Sequence, residues 1–116
     1  MKTIILGILF LFTVQLNAQQ KGIVTQTVLV KGNCEECKKR IENAADIKGV
    51  KLCVWNPDTK IATITFNADV TSLEKITQAI ANVGYDAGTI KGNDKSYQKL
   101  PGCCKYRDGK CTEPGK

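Results

Sequence analysis

The spacing of apolar residues changes along the chain, and this change constrains the fold more than any other feature. Between residues 60 and 66 apolar and polar residues alternate, as in a strand with one buried face. Between residues 71 and 83 they recur at helical spacing. The chain must therefore combine strands with helices. The apolar positions are Ala62, Ile64 and Phe66 in the strand and Leu73, Ile76, Ile80 and Val83 in the helix.

The same pattern predicts six elements in the order β-α-β-β-α-β. This order is typical of the ferredoxin-like α+β sandwich, in which two helices cover one face of a four-stranded antiparallel sheet. Thr71 and Glu74 have the spacing of a capping box at the start of the second helix. The predicted strands are 23–30, 50–55, 60–66 and 85–90, and the predicted helices are 35–45 and 71–83.

The first residues have the layout of a secretory signal peptide. Lys2 precedes an apolar run from Ile4 to Val14, and the small residue Ala18 follows a more polar stretch. The run is shorter than the roughly 20 apolar residues that span a bilayer. We therefore expect residues 1–18 to be removed and the mature chain to be periplasmic or secreted, without stable membrane insertion.

The composition changes again after Ile90. Residues 23–90 contain all the periodic segments, whereas residues 91–116 are rich in Gly, Lys, Asp, Pro and Cys. Ordering the backbone costs about 1–2 kcal/mol per residue, and this stretch offers little apolar surface to offset that cost. We therefore expect one domain at 23–90 and a Cys-containing tail at 91–116 that lies outside it.

The charge does not indicate a nucleic-acid partner. The chain has 17 Lys and Arg against 11 Asp and Glu, a formal net charge of +6. No block of five or six like charges occurs, and aromatic residues are few. A solvated basic surface accounts for this composition, so nucleic-acid binding is not expected.

Six cysteines and no histidine occur in the sequence. Cys34 and Cys37 lie three residues apart where a loop enters the first predicted helix, so their sulfurs can converge on one ion. Thiolates prefer soft ions such as Cu(I) or Hg(II). Zinc usually takes four ligands, often with histidine among them, and is the weaker candidate.

These residues resemble the heavy-metal-associated domain family, which includes copper chaperones, modules of copper-pumping ATPases and an exported mercury-binding protein. The resemblance covers residues 25–90 and rests on the segments 30–37, 49–50 and 83–87. It implies that Cys34 and Cys37 are the metal ligands, and that the partner is a membrane metal transporter or another Cys-bearing metal-binding domain. One position departs from the family: Gly32 stands where the family usually has a methionine beneath the metal loop.

The other cysteines allow more than one interpretation. Cys53 shares its strand parity with Trp55, and we expect it to be buried and inert. One of the vicinal pair Cys103 and Cys104 could form a disulfide with Cys111, or the three could make a second thiolate site. Tyr85 is expected either to lie beside the metal site, as the resemblance implies, or to be a packing residue.

The sequence as a whole predicts an exported metallochaperone or scavenger that holds one soft ion and passes it on by ligand exchange, and not an enzyme. Two alternatives stay open. The Cys-x-x-Cys spacing at a helix start also occurs in thiol-disulfide oxidoreductases. An exported chain with an even number of cysteines could instead be a disulfide-stapled binding module without metal.

The leader gives a first testable prediction. A chain expressed with its own residues 1–18 should be exported and should begin near Gln19, because a charged start, an apolar run and a small residue occur in that order. Intact-mass spectrometry of the periplasmic and secreted fractions measures the starting residue. A full-length chain recovered from the cytosol contradicts the prediction.

Overall fold

Both outer strands of the sheet pair with the same central strand. The computed structural model describes residues 22–108. Within them β1 (Ile23–Leu29) and β2 (Val50–Trp55) lie antiparallel on either side of β3 (Ile61–Asn67), in the order β1-β3-β2. The predicted leader at 1–18 and Cys111 lie outside the described residues.

Two ten-residue helices pack against this sheet, α1 (Glu35–Ala44) and α2 (Leu73–Asn82). The apolar faces of the helices and of β3 form one core, and the ferredoxin-like prediction is confirmed. No helix among residues 22–108 is long and apolar enough to cross a membrane. The fully buried core residues of these elements include Ile41, Ala62, Ile64, Ile76 and Ile80.

The start and the end of α2 differ from the prediction. Ser72, and not Thr71, is the N-cap: its hydroxyl accepts a hydrogen bond of 3.2 Å from the Lys75 N–H. Val83, predicted to be in the apolar stripe, follows the last helical residue and is 38% exposed. The capping-box prediction is therefore wrong by one residue, and the buried face of α2 ends at Ala81.

The predicted fourth strand is reduced to a bridge. Ala87 pairs with Val30, which places this segment beside β1, where the fourth strand of the fold belongs. It also pairs with Ile90, through two backbone hydrogen bonds of 2.9 Å. Because these bonds turn the backbone back on itself, no extended strand forms at 85–90, and the sheet in the described residues has three strands.

The prediction that the tail lies outside the domain is wrong for residues 94–108. A short helix α3 (Asp94–Gln98) and two single-turn 3-10 helices, Gly102–Cys104 and Tyr106–Asp108, follow the domain. Tyr97, Leu100 and Cys104 are buried in the same core as the sheet and helices. We call residues 94–108 the C-terminal segment. Cys104 is thereby brought into the domain.

Aromatic packing is the main contact that orders the C-terminal segment. The Tyr106 ring stacks on Tyr85 at 5.7 Å and meets Tyr97 edge-on at 5.3 Å. The backbone of Tyr97 passes so close to Gly84 that a Cβ atom on Gly84, at a φ of 108°, would lie 2.9 Å from the Tyr97 nitrogen. Three tyrosines and one glycine thus attach the C-terminal segment to the domain, an attachment that the composition of residues 91–116 did not predict.

Polar contacts secure the same segment to the loop after α2. The Tyr106 hydroxyl donates to the Gly84 carbonyl at 2.7 Å and accepts from the Asp86 N–H at 3.0 Å. The Asp86 carboxylate accepts from the Gly92 N–H at 2.8 Å and from the Arg107 guanidinium at 3.2 Å. Burial opposes ionisation of Asp86, but these hydrogen bonds outweigh it and hold its pKa below the ordinary value.

Trp55 fills the space beneath the loop that joins β1 to α1. Its ring is fully buried, and its indole N–H donates to the Val30 carbonyl at 2.9 Å. A Cβ atom on Gly32 would lie 3.1 Å from the six-membered ring of Trp55 and 3.2 Å from Ile41. The indole of Trp55 therefore occupies the space beneath the loop, where members of the family usually have a methionine side chain.

This packing predicts the effect of enlarging Gly32. Gly32→Ala should lower the free energy of unfolding by about 1–3 kcal/mol, the usual cost of overpacking a core. The cost should be smaller in a Trp55→Phe background, where the outer atoms of the indole are missing. Chemical denaturation of the four proteins of this double-mutant cycle measures the coupling. Additive free energies would show that Gly32 and Trp55 do not compete for space.

The carboxylate of Asp86 predicts a pH-dependent stability. Asp86→Asn should lower the free energy of unfolding at pH 7 by about 1–2 kcal/mol, because hydrogen bonds to a charged group are lost. A depressed folded-state pKa means that the ionised group contributes stability above its unfolded pKa of about 3.9, and that the contribution is lost as the pH falls through the folded-state value. The difference between wild type and variant should therefore shrink below about pH 4.

Asp94 provides the matched control for that experiment. Its carboxylate also accepts from Arg107, at 3.0 Å, but its side chain is 70% exposed, so water screens the pair. Asp94→Asn should change the stability less than Asp86→Asn does. A constant difference between wild type and Asp86→Asn at every pH at which both fold contradicts the assigned role of Asp86.

Candidate metal site

The end of the loop before α1 presents two of the predicted ligands. Cys34 is the N-cap residue of α1, in an extended conformation, and Cys37 lies in the first turn. The Cys34 carbonyl accepts the helix bond from the Lys38 N–H at 3.0 Å. Because the helix starts between the two cysteines, their side chains can turn toward the same point.

A third thiol joins this pair from the C-terminal segment. The sulfur atoms of Cys34, Cys37 and Cys104 all lie within 4.8 Å of one another. Cys37 and Cys104 are fully buried, and Cys34 is half-buried at the edge of the cluster. We call these three residues the thiol cluster. It has the donor set that soft metal ions prefer.

The start of α1 favours the thiolate form of Cys34. Partial burial opposes ionisation, but the backbone N–H groups of Cys37 and Glu36 outweigh it and lower the Cys34 pKa. The neighbouring sulfur of Cys37 accepts a hydrogen bond from the Asn33 N–H at 3.3 Å. Backbone donors of the loop and the helix start thus face both sulfurs and can stabilise negative charge there.

The vicinal cysteines of the C-terminal segment have different positions. Burial raises the pKa of both thiols, and the Cys34 thiol raises that of Cys103 further. Cys103 is half-buried, and its carbonyl accepts from the Asn33 side-chain amide at 3.1 Å and from the Cys34 thiol at 3.5 Å. The Cys103 carbonyl therefore contacts the site and its thiol neighbours that of Cys34, whereas the Cys104 sulfur lies within 4.8 Å of those of both Cys34 and Cys37.

Tyr85 lies directly against the thiol cluster. Its ring is fully buried, and burial together with the nearby thiols of Cys104 and Cys37 raises the pKa of its hydroxyl. That hydroxyl has no hydrogen-bond partner among the described residues. An unsatisfied buried polar group costs about 1–3 kcal/mol, and a thiolate on either neighbouring cysteine could serve as its acceptor.

Two of the three basic residues of α1, Lys38 and Arg40, are engaged in ion pairs. Lys38 contacts Glu42 at 2.6 Å and the Trp55 carbonyl at 3.0 Å, and Arg40 contacts Glu36 at 3.3 Å. Their charges are thus partly neutralised at the helix surface. Backbone N–H groups, and not these cations, are the donors nearest the cysteine sulfurs.

Cys53 lies apart from the cluster, on β2. It faces the same side of the sheet as the buried Trp55, as its parity predicted, but it is half-buried and not fully buried. Burial and the nearby Glu42 carboxylate raise its pKa to about 11. A thiol with so high a pKa is protonated at neutral pH, which agrees with an inert role.

Sequence reasoning located two residues of the cluster and missed the third. It placed Cys34 and Cys37 together at the helix start and considered Tyr85 as a neighbour; in the structure the two sulfurs lie within 4.8 Å of each other, and Tyr85 lies beside Cys37. Cys104 was assigned to a separate tail. The one available signal, which is not periodic, is that three large side chains, Tyr97, Leu100 and Tyr106, flank the vicinal cysteines in an otherwise polar stretch.

Several solved structures resemble the domain. Oxidized MerP from Ralstonia metallidurans CH34 is 31% identical, with a TM-score of 0.54 over 57% of this chain and 94% of that one. A copper-binding domain of a P-type ATPase is 25% identical, with a TM-score of 0.52 over 54% and 88%. The CopZ metallochaperone, at 24% identity and a TM-score of 0.53 over 55% and 98%, shares the fold. No match was found among curated protein sequences.

The family comparison covers the end of β1, the strands β2 and β3, the helices α1 and α2, and the loop that carries the first two cysteines. The profile of the heavy-metal-associated domain matches residues 27–86, just over half of the chain. The C-terminal segment, with Cys104, lies beyond the matched residues. The chain belongs to the heavy-metal-associated domain family.

Proposed function

We propose that this protein is an exported carrier of one soft metal ion, Cu(I) or Hg(II), bound between the thiolates of Cys34 and Cys37. The observation that carries the proposal is the convergence of their sulfurs at the start of α1, within 4.8 Å. A linear dithiolate with metal–sulfur bonds of about 2.3 Å needs its sulfurs about 4.6 Å apart. The two side chains can therefore take up an ion with little rearrangement.

The surrounding donors suit an anionic thiolate complex. Two thiolates and one Cu(I) carry a net charge of −1, whereas the complex with Hg(II) is neutral. The backbone N–H groups at the start of α1 and the Asn33 N–H can stabilise such charge without bringing a competing ligand. The chain has no histidine, so nitrogen ligands of the kind that favour zinc are missing.

The unequal exposure of the two ligands supports transfer by ligand exchange. Cys34 is half-buried at the rim, while Cys37 is fully buried. An incoming thiolate from a partner can reach the ion on the side of Cys34, form a bond and displace that sulfur first. No bond to carbon is made or broken in such a transfer, so we propose a carrier and not an enzyme.

The proposed partner is a membrane metal transporter or another Cys-bearing domain. The similarity to a copper-binding domain of a P-type ATPase supports a partner of this kind, since domains of one fold can present matching thiols to each other. The signal-peptide pattern predicted for residues 1–18 supports export, so we propose that the exchange takes place in the periplasm or outside the cell.

A thiol-disulfide oxidoreductase is the second candidate, because a lowered pKa at Cys34 is also a property of redox thiols. The third thiol favours the metal proposal. A dithiol redox centre uses two sulfurs, whereas Cys104 adds a buried sulfur within 4.8 Å of both. Catalysed turnover of a disulfide substrate, with no tight metal binding by the reduced protein, would favour the redox alternative.

Substitution of the two ligands tests the proposal. Cys34→Ser and Cys37→Ser should each weaken one-to-one binding of Cu(I) by at least about 100-fold. Loss of a residue that only hydrogen-bonds to a metal ligand weakens binding by about 10- to 100-fold, and loss of the ligand itself should cost more. Both variants should keep their fold, because the apolar faces of α2 and β3 are unchanged, although Cys37→Ser alters one buried core position. Competition with a Cu(I) chelator, under reducing conditions, measures the affinity, and circular dichroism checks the fold.

Cys53→Ser is the matched control for these variants. It removes a thiol of the same domain that lies outside the cluster, so it should keep the metal affinity and lose some stability. Loss of the metal in Cys53→Ser, together with retention in Cys34→Ser, would place the site elsewhere. Native mass spectrometry with Cu(I), Hg(II) and Zn(II) in competition identifies the preferred ion.

A further inference from the structure

The position of Cys104 adds a ligand to the site. We propose that the C-terminal segment completes a three-sulfur metal centre, in which Cys104 binds the same soft ion as Cys34 and Cys37. This inference rests on the proposed function and extends it, because it assigns a ligand outside the residues matched by the family profile. The ion it implies is a thiophilic d¹⁰ ion in trigonal coordination.

The distances among the sulfurs fit three ligands on one ion. A trigonal site with metal–sulfur bonds of about 2.3 Å has its sulfurs about 4 Å apart. In the structure the three sulfurs lie within 4.8 Å of one another. This limit is compatible with three sulfurs around one ion.

The fold holds Cys104 in this place. Its N–H bonds to the Pro101 carbonyl at 2.8 Å, which closes the 3-10 turn, and Leu100 and Tyr97 bury the segment on its N-terminal side. On the other side Tyr106 is fixed by its ring contacts and by the Gly84 carbonyl. The Asn33 amide, in the loop that carries Cys34, also bonds to the Cys103 carbonyl at 3.1 Å. The third sulfur and the first two are thus parts of one packed unit.

The Tyr85 hydroxyl supplies an independent observation that points to a ligand. It is fully buried, it lies against the thiols of Cys104 and Cys37, and it has no hydrogen-bond partner among the described residues. A thiolate is a much better acceptor than a thiol. Binding of an ion converts the cysteines to thiolates, and the hydroxyl can then donate to one of them.

A third thiolate also makes charge stabilisation more important. Three thiolates with Hg(II) carry a net charge of −1, and with Cu(I) a net charge of −2, inside a largely buried cluster. Buried charge must be compensated by hydrogen bonds or partners. The described structure has such donors in place: the Asn33 N–H at Cys37, the N–H groups at the start of α1 near Cys34, and the Tyr85 hydroxyl near Cys104.

Counting the sulfur ligands tests the inference. The reduced chain is loaded with one equivalent of Cu(I), and X-ray absorption spectroscopy gives the number of sulfurs around the ion. Wild type should show three, and Cys104→Ala should show two. Cys104→Ala should also bind Cu(I) about 10-fold or more weakly than wild type. Replacing a residue that supports a metal ligand already lowers the metal affinity by about this factor.

Cys103→Ala is the matched control, because Cys103 is the vicinal neighbour but its sulfur is not in the cluster. It should keep three sulfurs and an affinity near that of wild type. Loss of a sulfur in Cys103→Ala but not in Cys104→Ala would overturn the assignment. A two-sulfur spectrum for wild type would also overturn it, even if the variant failed to fold.

The two proposals fail in distinguishable ways. If wild type binds Cu(I) tightly with two sulfurs, the three-sulfur centre is wrong while the proposed carrier function stands. If reduced wild type binds no Cu(I) in competition with a weak chelator, the carrier function itself is wrong for this ion, and the three-sulfur centre falls with it. Three sulfurs in wild type and two in Cys104→Ala support both.

Discussion

The loop that carries Cys34 packs on the indole ring of Trp55, which lies directly beneath it at Gly32. Trp55 reaches from the end of β2 to this loop, and its N–H holds the Val30 carbonyl at the point where β1 ends. Its backbone N–H and carbonyl contact Glu42 and Lys38 of α1. One residue, through its indole ring and its backbone, therefore contacts the strand, the loop and the helix that together place the cysteines.

Most of the fold follows from periodicity, because each strand and helix buries one regular face. The parity of β3 and the stripe of α2 identified Ile64, Phe66, Ile76 and Ile80 as core residues. The ends were less predictable, because they depend on single hydrogen bonds: Ser72 caps α2 where Thr71 was expected. The fourth strand was lost because the bonds between Ala87 and Ile90 close a local turn, which competes with extended pairing.

The candidate site could be predicted in part, and the missing part has a physical reason. Cys34 and Cys37 are near each other in sequence, so a local pattern places them together. Cys104 reaches them only through tertiary contacts made by residues that look solvent-exposed in sequence. Burial of Tyr97 and the stacking of Tyr106 on Tyr85 are contacts between distant positions, and no period within residues 91–116 reveals them.

The different exposure of the three sulfurs relates the fold to the proposed release of the ion. Cys34 is at the rim, so its bond is the first that a partner's thiolate can replace. Cys37 and Cys104 are fully buried, and Cys104 is attached to a segment held by Tyr106 and Arg107.

Complete transfer in the proposed mechanism then requires the C-terminal segment to loosen, or Cys104 to rotate away from the ion. In the proposed carrier, a small thiol in solution would displace only the exposed Cys34 from the ion, and the two buried sulfurs would retain it. A docked protein partner would have to supply a second thiolate to the ion as Cys104 leaves.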